Sequence, residues 1–145
     1  MQDFPHLYKV AAKGEPEGHV HVSADAVETI LTAPPAEFGG PGDRWSPESL
    51  LVAAVANCFV LSFRAIARAS RLAWLSLECD AEGKLERVER TTKFTEFVVH
   101  ATLYVPSDTD EGKAMRILEK AEETCLVTNS LNASRRLNAV VHVKA

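Results

Sequence analysis

Short runs of alternating polar and apolar residues dominate the first 32 positions and predict three β-strands. Residues 18–24 show this best, because His-Val-His-Val-Ser at 19–23 alternates with the period of a half-buried strand. The other two runs are residues 6–13 and 27–32, and the breaks between the three contain the Gly, Pro and Asp residues common at turns. A loop rich in Pro and Gly follows at residues 34–45.

An apolar run at residues 50–63 predicts the longest helix of the chain. Ser46 is suited to cap its start, Pro47 to occupy its first turn, and Glu48 to face the positive end of the helix dipole. The predicted helix therefore covers residues 46–70. Since the run is apolar on every side, one small sheet cannot cover it. We expect a second copy of the chain to do so in an intertwined homodimer.

Alternation returns in the middle of the chain and predicts further strands. Residues 74–80 alternate polar and apolar side chains, as do residues 103–105 behind the apolar run at 97–99, and Leu85 and Val88 lie in an intervening strand. The bends are expected at Gly83 and at residues 89–90.

The last third predicts a helix followed by a strand. Apolar residues with spacings of three, four and seven form one helical stripe; they are Ala114, Ile117, Leu118 and Ala121. This helix is expected to begin near residues 107–110 and to reach 125–127, with a short helical piece at 130–136 and a final strand at 137–143. The order β-β-β-α-β-β-α-β, with antiparallel meanders, indicates the α+β class.

Composition is typical of one globular domain, here residues 1–145. Apolar residues make up 46% and charged residues 25% of the chain, and the net charge is -4. An acidic balance argues against a nucleic-acid-binding protein. The 14 residues of the longest apolar run are fewer than the roughly 20 that span a membrane. We therefore expect neither a nucleic-acid nor a membrane partner, and with no secretory signal at the N-terminus, a cytoplasmic location.

The three cysteines, Cys58, Cys79 and Cys125, are the candidate reactive residues. No two are spaced as C-x-x-C, and no two of the five His residues lie four apart on a predicted helix. The spacing therefore predicts neither a zinc site nor any other metal site. Taken one at a time, each cysteine is typical of a small buried apolar residue.

Three segments in order give the chain its resemblance to a known family. They are Phe-Gly-Gly-Pro-Gly at residues 38–42, Ser-Pro-Glu-Ser-Leu-Leu at 46–51 leading to Cys58-Phe59, and Cys-Leu-Val-Thr-Asn-Ser-Leu at 125–131. The second cysteine stands 67 residues after the first. With these motifs the chain resembles the superfamily of osmotically inducible protein C (OsmC) and organic hydroperoxide resistance (Ohr) proteins, which are thiol-dependent peroxidases.

The resemblance implies a role for each matched residue. Cys58 matches the cysteine whose thiolate attacks the peroxide bond and becomes a sulfenic acid. Cys125 matches the resolving cysteine, which condenses with the sulfenic acid to a disulfide. An external dithiol, in the family typically a lipoyl-bearing protein, then reduces the disulfide. An apolar pocket around Cys58, formed by Val55, Phe59 and Leu61, would suit alkyl or fatty-acid hydroperoxides. No cofactor is expected.

The sequence departs from the family pattern at two positions. Pro16 stands where the family has an arginine in the first hairpin, and Leu126 stands where peroxidase branches often have proline. Desolvation in an apolar helix disfavours a thiolate, so we expect a cation to approach Cys58. Arg44 is the nearest substitute in sequence, with Glu48, which matches the family's glutamate, as its carboxylate partner.

Helix geometry places Glu48 away from the Cys58 of its own chain. The two residues are ten positions apart, which is about 15 Å along a straight helix and about 80° around it. If Glu48 serves the site, either the helix bends or the glutamate comes from a partner chain. The second arrangement again favours a homodimer with composite sites.

Two other functions fit the same residues. One is a binding or redox-sensing protein of the same fold, whose apolar cleft holds a hydrophobic ligand and whose cysteines do not turn over. Pro16 in place of the arginine favours it, whereas the presence of both Cys58 and Cys125 favours the peroxidase. The other is a dimer with a purely structural role.

Overall fold

The computed structural model describes residues 1–144, and the chain folds into two compact units, Met1–Leu50 and Leu51–Ala145. Three-stranded sheets and helices make it an α+β protein, as the pattern predicts. That the units form one domain stays a prediction. Each is described in turn.

The first unit contains an antiparallel sheet with β2 in the middle. Its strands are β1 (Ala11–Lys13), β2 (Val20–Ser23) and β3 (Ile30–Thr32). All three are shorter than predicted. Every residue up to Gly18 is exposed, so the first predicted strand has no apolar layer that would extend its pairing.

The Pro- and Gly-rich loop forms a tight turn because Gly40 has no side chain. The Gly40 N–H donates to the Pro35 carbonyl at 3.0 Å. A Cβ at Gly40 would lie 1.7 Å from the Pro34 carbonyl oxygen, so any other residue would force the turn open. Gly39, with φ +83°, supplies the left-handed step before it.

The helix α1 (Pro47–Ala69) confirms the predicted helix at residues 46–70. Its start carries a reciprocal cap: the Ser49 N–H donates to Ser46 Oγ at 3.1 Å, and the Ser46 N–H donates to Ser49 Oγ at 2.9 Å. This is the geometry of a capping box in which a serine replaces the usual Glu or Gln.

One stripe of α1 is fully buried within the single chain. It consists of Val55, Phe59, Phe63 and Ala67, four residues apart. Other apolar residues of the helix are only partly covered, and Leu61 is 48% exposed. By length and composition α1 could cross a membrane, a property it shares with the core helices of proteins that never enter one.

The second sheet consists of β4 (Ser76–Val88), β5 (Thr91–Pro106) and β6 (Ser134–Lys144), with β5 in the middle. Five alternate residues of β5 form its buried face against the α1 stripe: Phe97, Val99, Ala101, Leu103 and Val105. β4 pairs antiparallel with β5, but β6 pairs parallel. The expectation of antiparallel meanders alone was wrong for β6, because a helical crossover returns the chain in the direction of β5.

That crossover contains a helix break. α2 (Glu111–Thr124) starts with Asp110, whose side chain accepts from the Lys113 N–H at 3.1 Å, and buries the predicted apolar stripe. The chain leaves helical geometry at Cys125 and then forms α3 (Leu126–Asn129). The predicted continuous helix through residues 125–127 and the helical piece at 130–136 were wrong, since β6 begins at Ser134.

Gly83 lies inside β4 and is not the predicted bend. A Cβ there would lie 2.8 Å from Val52 Cγ2 and 2.9 Å from Phe94 Cε1, so the glycine allows α1 and β5 to approach the strand closely. The other predicted bend is confirmed, since Glu89 and Arg90 between β4 and β5 both have positive φ.

We expect Gly83→Ala to lower the free energy of unfolding by about 1–3 kcal/mol, because its methyl group overpacks the contact with Val52 and Phe94. Urea denaturation followed by circular dichroism measures the change. Glu78→Ala, at an exposed position of the same strand, is the matched control and should change the free energy by no more than about 0.5 kcal/mol. An equally stable Gly83→Ala variant would contradict the close approach.

Candidate active site

Cys58 lies on α1 at the edge of the buried stripe. It directly precedes the fully buried Phe59, and this step around the helix leaves the Cys58 side chain half-buried. Ser62, one turn further on, places its Oγ 3.9 Å from Cys58 Sγ. The helix therefore presents the sulfur at the surface of the core, where a small molecule can reach it.

Cys125 is the residue at which α2 breaks into α3. Its N–H donates to the Glu122 carbonyl at 3.3 Å, and its own carbonyl accepts from the Asn129 N–H at 2.9 Å. The side chain is completely buried, and Thr128 Oγ1 donates to the sulfur at 3.3 Å. The break turns this buried thiol toward α1.

The structure brings the Cys58 and Cys125 thiols close enough for each to affect the pKa of the other. Burial raises the pKa of Cys58, but hydrogen bonding from four groups lowers it: the Val127 N–H, the Cys125 thiol, the Ser62 hydroxyl and the Leu126 N–H. Together they hold the pKa of Cys58 below its ordinary value. The N–H groups of residues 126 and 127 are free to do so because the first turn of a helix has no internal acceptors for them.

These donors correct the expectation that only a cation could stabilise a Cys58 thiolate. All four are uncharged. Leu126 contributes one of them, and a proline at this position would have no N–H to donate. Ser62 lies on the same helix as Cys58, whereas the other three donors come from the break 67 residues later in the chain.

The pKa of Cys125 is shifted in the opposite direction, above its ordinary value. Burial raises the pKa of its thiol, and its role as donor to Cys58 and the charge there raise it further, against hydrogen bonds from Thr128 that lower it. The pKa values of the pair are therefore shifted in opposite directions, downward at Cys58 and upward at Cys125. In the structure both are free cysteines.

Cys79 lies on the inner face of β4 and is the least reactive of the three. Its thiol points at the Ala56 carbonyl oxygen, 3.9 Å away. Burial, followed by the charges of Asp80, Glu122 and Cys125, raises its pKa to about 11. A thiol of this kind stays protonated at neutral pH, in accord with the core position expected for it.

The residues expected to form an apolar pocket around Cys58 do not do so. Val55 and Phe59 are fully buried among core side chains, and Leu61 is 48% exposed. An apolar cleft of about 360 Å³ lies elsewhere in the same unit, between Leu51, Phe94, Phe97, Leu131 and Ala133, with Lys93 and Asn132 beside it. A fully buried stripe cannot line a cleft that is open to a ligand, and that is why the expectation was wrong.

Arg44 and Glu48 both belong to the first unit and line different clefts. Glu48 lies beside Pro34, Pro35 and Phe38, and its Oε1 is buried without a hydrogen-bond partner in residues 1–144. Arg44 lines a second cleft with Ile30, Leu31 and Trp45. Within the described chain the two side chains form no ion pair. A buried carboxylate oxygen requires a donor, so the pairing predicted for Glu48 stays a prediction for an assembly of two chains.

Sequence reasoning missed the donors that surround the cysteine pair. Ser62 could have been found, since a residue four positions after Cys58 on a helix lies above it. The two backbone N–H groups could not, because the apolar stripe of α2 gives no sign that the helix breaks at Cys125.

The sequence of the chain is similar to those of known proteins. A family model described as OsmC-like protein matches residues 40–139. The uncharacterized protein YmaD of Bacillus subtilis is 23% identical over 113 residues, which cover 76% of this chain and 75% of YmaD.

Two solved structures have the same fold over nearly the whole chain. An OsmC-like protein of unknown function from Vibrio cholerae has a TM-score of 0.85 at 18% identity, covering 94% of this chain and 100% of the other. A protein from Legionella pneumophila described as organic hydroperoxide resistance protein OsmC has a TM-score of 0.75 at 24% identity, covering 96% and 98%. Since the family model matches residues 40–139, more than half of the chain, the chain belongs to the OsmC-like protein family.

Proposed function

We propose that the chain is a thiol-dependent peroxidase that reduces organic hydroperoxides with two cysteines. The observation that carries this proposal is the closeness of a half-buried Cys58, whose pKa is lowered, to the fully buried Cys125, whose pKa is raised. A thiolate with a resolving thiol in reach is the arrangement that two-cysteine peroxide reduction requires. The Legionella relative's description as an organic hydroperoxide resistance protein supports the same chemistry.

The reaction proceeds in three balanced steps. The Cys58 thiolate attacks one oxygen of the hydroperoxide; the S–O bond forms, the O–O bond breaks, and the alcohol leaves with a proton from solvent. The Cys125 thiol then attacks the Cys58 sulfenic acid; the S–S bond forms and the hydroxyl leaves with the thiol proton as water. An external dithiol of the lipoyl type reduces the disulfide by exchange and is itself oxidised.

The apolar cleft supports an organic peroxide over hydrogen peroxide. Leu51, in its wall, precedes Cys58 by seven residues on α1, so it lies about 10 Å away along the helix and on nearly the same side. An alkyl chain between Leu51, Phe94 and Phe97 would lose water-exposed apolar surface, whereas hydrogen peroxide gains nothing there. We propose alkyl or fatty-acid hydroperoxides as substrates.

Arg44 and Glu48 complete the proposed site in a homodimer. The orphaned Oε1 of Glu48 calls for a donor, and a guanidinium from the partner chain would satisfy it in a bidentate pair. Arg44 is the proposed source, and it would add a charge to the neutral donors of Cys58.

A binding or redox-sensing protein is the second candidate function. Pro16 in place of the hairpin arginine and the apolar cleft favour it. Unlike the peroxidase, such a protein would not turn over its substrate catalytically.

We expect the purified protein to consume cumene hydroperoxide in the presence of dihydrolipoamide. Cys58→Ser should lower the rate on the order of a hundredfold or more, because it removes the nucleophile. Cys125→Ser should still react once per chain and then stop. Peroxide loss is followed by a ferric xylenol orange assay.

Cys79→Ser is the matched control and should keep the wild-type rate. Peptide mapping after one equivalent of peroxide should find a Cys58–Cys125 bridge and a free Cys79. A wild-type protein that reacts once without turnover would establish the sensing function instead, and oxidation at Cys79 would refute the two-cysteine assignment.

The lowered pKa of Cys58 sets a pH dependence. Only the thiolate is alkylated, so the iodoacetamide rate of Cys58 should reach half its maximum at a lower pH than that of an unperturbed thiol and should fall as pH drops through its pKa. Leu126→Pro removes one N–H donor at a helix position that tolerates proline, so it should move the profile to higher pH and slow alkylation at pH 7 about threefold.

Leu126→Ala keeps the N–H and is the matched control. Arg44→Ala measured in the same assay tests the proposed cation: its profile should also move to higher pH. If the Leu126→Pro and Leu126→Ala profiles coincide, the backbone donor does not act on Cys58. If the Arg44→Ala and wild-type profiles coincide, Arg44 is only a loop residue.

The partly covered faces of α1 predict a homodimer, with the second copy as the occupant of these faces. Sedimentation equilibrium of the wild type should give twice the 15.8 kDa chain mass. Leu61→Glu places a charge on the uncovered side of α1 and should shift the protein toward monomer, whereas Asn57→Glu, at an already polar exposed position, should have a smaller effect. A folded wild-type monomer would contradict the dimer.

A further inference from the structure

Arg135, the second residue of β6, reaches back to the helix break that carries Cys125. Its Nε donates to Glu122 Oε1 at 2.8 Å. One terminal nitrogen of the guanidinium donates to the Glu122 carbonyl oxygen, and the other donates to Asn129 Oδ1. One side chain thus contacts the residue three positions before Cys125 and the residue four positions after it.

The backbone of the break is linked to the same two residues. The Cys125 N–H donates to the Glu122 carbonyl, and the Asn129 N–H donates to the Cys125 carbonyl. Asn129 Nδ2 also donates to the Glu123 carbonyl at 3.1 Å. Arg135 therefore joins the last turn of α2 to the end of α3 across the break, and β6 holds Arg135 in place.

The burial of Glu122 makes this connection specific. Glu122 is only 8% exposed, and a buried carboxylate needs a paired charge with good geometry. The flat guanidinium supplies two donors to Glu122 and one to Asn129 at once, which an ammonium group cannot do in a fixed orientation. The Glu122 carbonyl, near the end of α2, accepts from both the Cys125 N–H and Arg135.

We propose that Arg135 is a positioning residue for the cysteine pair: by joining Glu122 and Asn129 it fixes the break so that the Cys125 thiol faces Cys58. This rests on the proposed peroxidase function, and it concerns the second step. There the Cys125 sulfur must approach the Cys58 sulfenic acid for the S–S bond to form and water to leave. Misplacing a reacting group by about 1 Å costs as much as a hundredfold in rate.

The test measures how fast the disulfide forms after one equivalent of cumene hydroperoxide, by quenched-flow mass spectrometry with dimedone present to trap sulfenic acid. In Arg135→Ala we expect disulfide formation to slow at least about tenfold and the Cys58–dimedone adduct to accumulate. Arg136→Ala is the matched control, since Arg136 is the next residue and faces the exposed side of β6. It should behave as wild type.

Asn129→Ala provides a second variant that keeps the buried ion pair. It removes an exposed side chain and with it the hydrogen bond between Arg135 and Asn129. We therefore expect disulfide formation to slow about threefold or more. If Arg135→Ala does not fold, the rate of disulfide formation in Asn129→Ala tests the proposal. Wild-type resolution rates in a folded Arg135→Ala or in Asn129→Ala would overturn the proposal.

An oxidant that is not a peroxide tests the positioning role of Arg135 independently of the proposed peroxidase function. Diamide oxidises two thiols to a disulfide and is reduced to the hydrazine, and it should bridge Cys58 and Cys125 in the wild type even if the protein does not reduce hydroperoxides. Slower bridging in Arg135→Ala than in Arg136→Ala supports the positioning role whether or not the peroxidase proposal holds. Equal bridging rates would overturn it.

Discussion

The candidate site depends on the hydrogen bonds that reach from the helix break at Cys125 to the sulfur of Cys58. A continuous helix would have used the N–H groups of residues 126 and 127 internally, and the Cys125 thiol would have followed the stripe of α2. Because the chain leaves helical geometry at one residue, two backbone donors and one thiol turn toward α1 together. In combination these hydrogen bonds outweigh the burial that raises the pKa of Cys58.

Packing of the core fixes the positions of Cys58 and Cys125 relative to each other. The α1 stripe ending at Ala67 packs on the buried face of β5, and Gly83 lets the helix lie close against β4. Phe63 meets Trp74 edge to face, with ring centroids 5.3 Å apart, which fixes the rotation of α1 near its C-terminal end. Since interiors are packed as densely as crystals, a rotation of α1 that moved Cys58 would also have to move Phe59.

Sequence patterns predicted the features that local interactions control. The start of α1 follows from Ser46 and its cap, and the strand β5 from the apolar run at 97–99 and the alternation at 103–105. The parallel pairing of β6 and the break at Cys125 depend on contacts between residues far apart in sequence, such as Arg135 with Glu122, and no local pattern encodes them. The two cysteines were indistinguishable from core residues by pattern and were identified only by resemblance. The opposite shifts of their pKa values are a property of the fold, since three of the four donors to Cys58 lie far from it in sequence.

The donors to Cys58 are neutral, unlike the arginine that the family pattern has in the first hairpin. A thiolate held by a guanidinium depends on a charge that salt screens where it is exposed, whereas backbone N–H groups act at contact distance and are part of the fold. Leu126 adds such a donor, at a position where proline would add none. On this physical account the loss of the hairpin arginine does not by itself leave Cys58 an ordinary buried thiol, and a contribution from Arg44 would add to a thiolate that the break already favours.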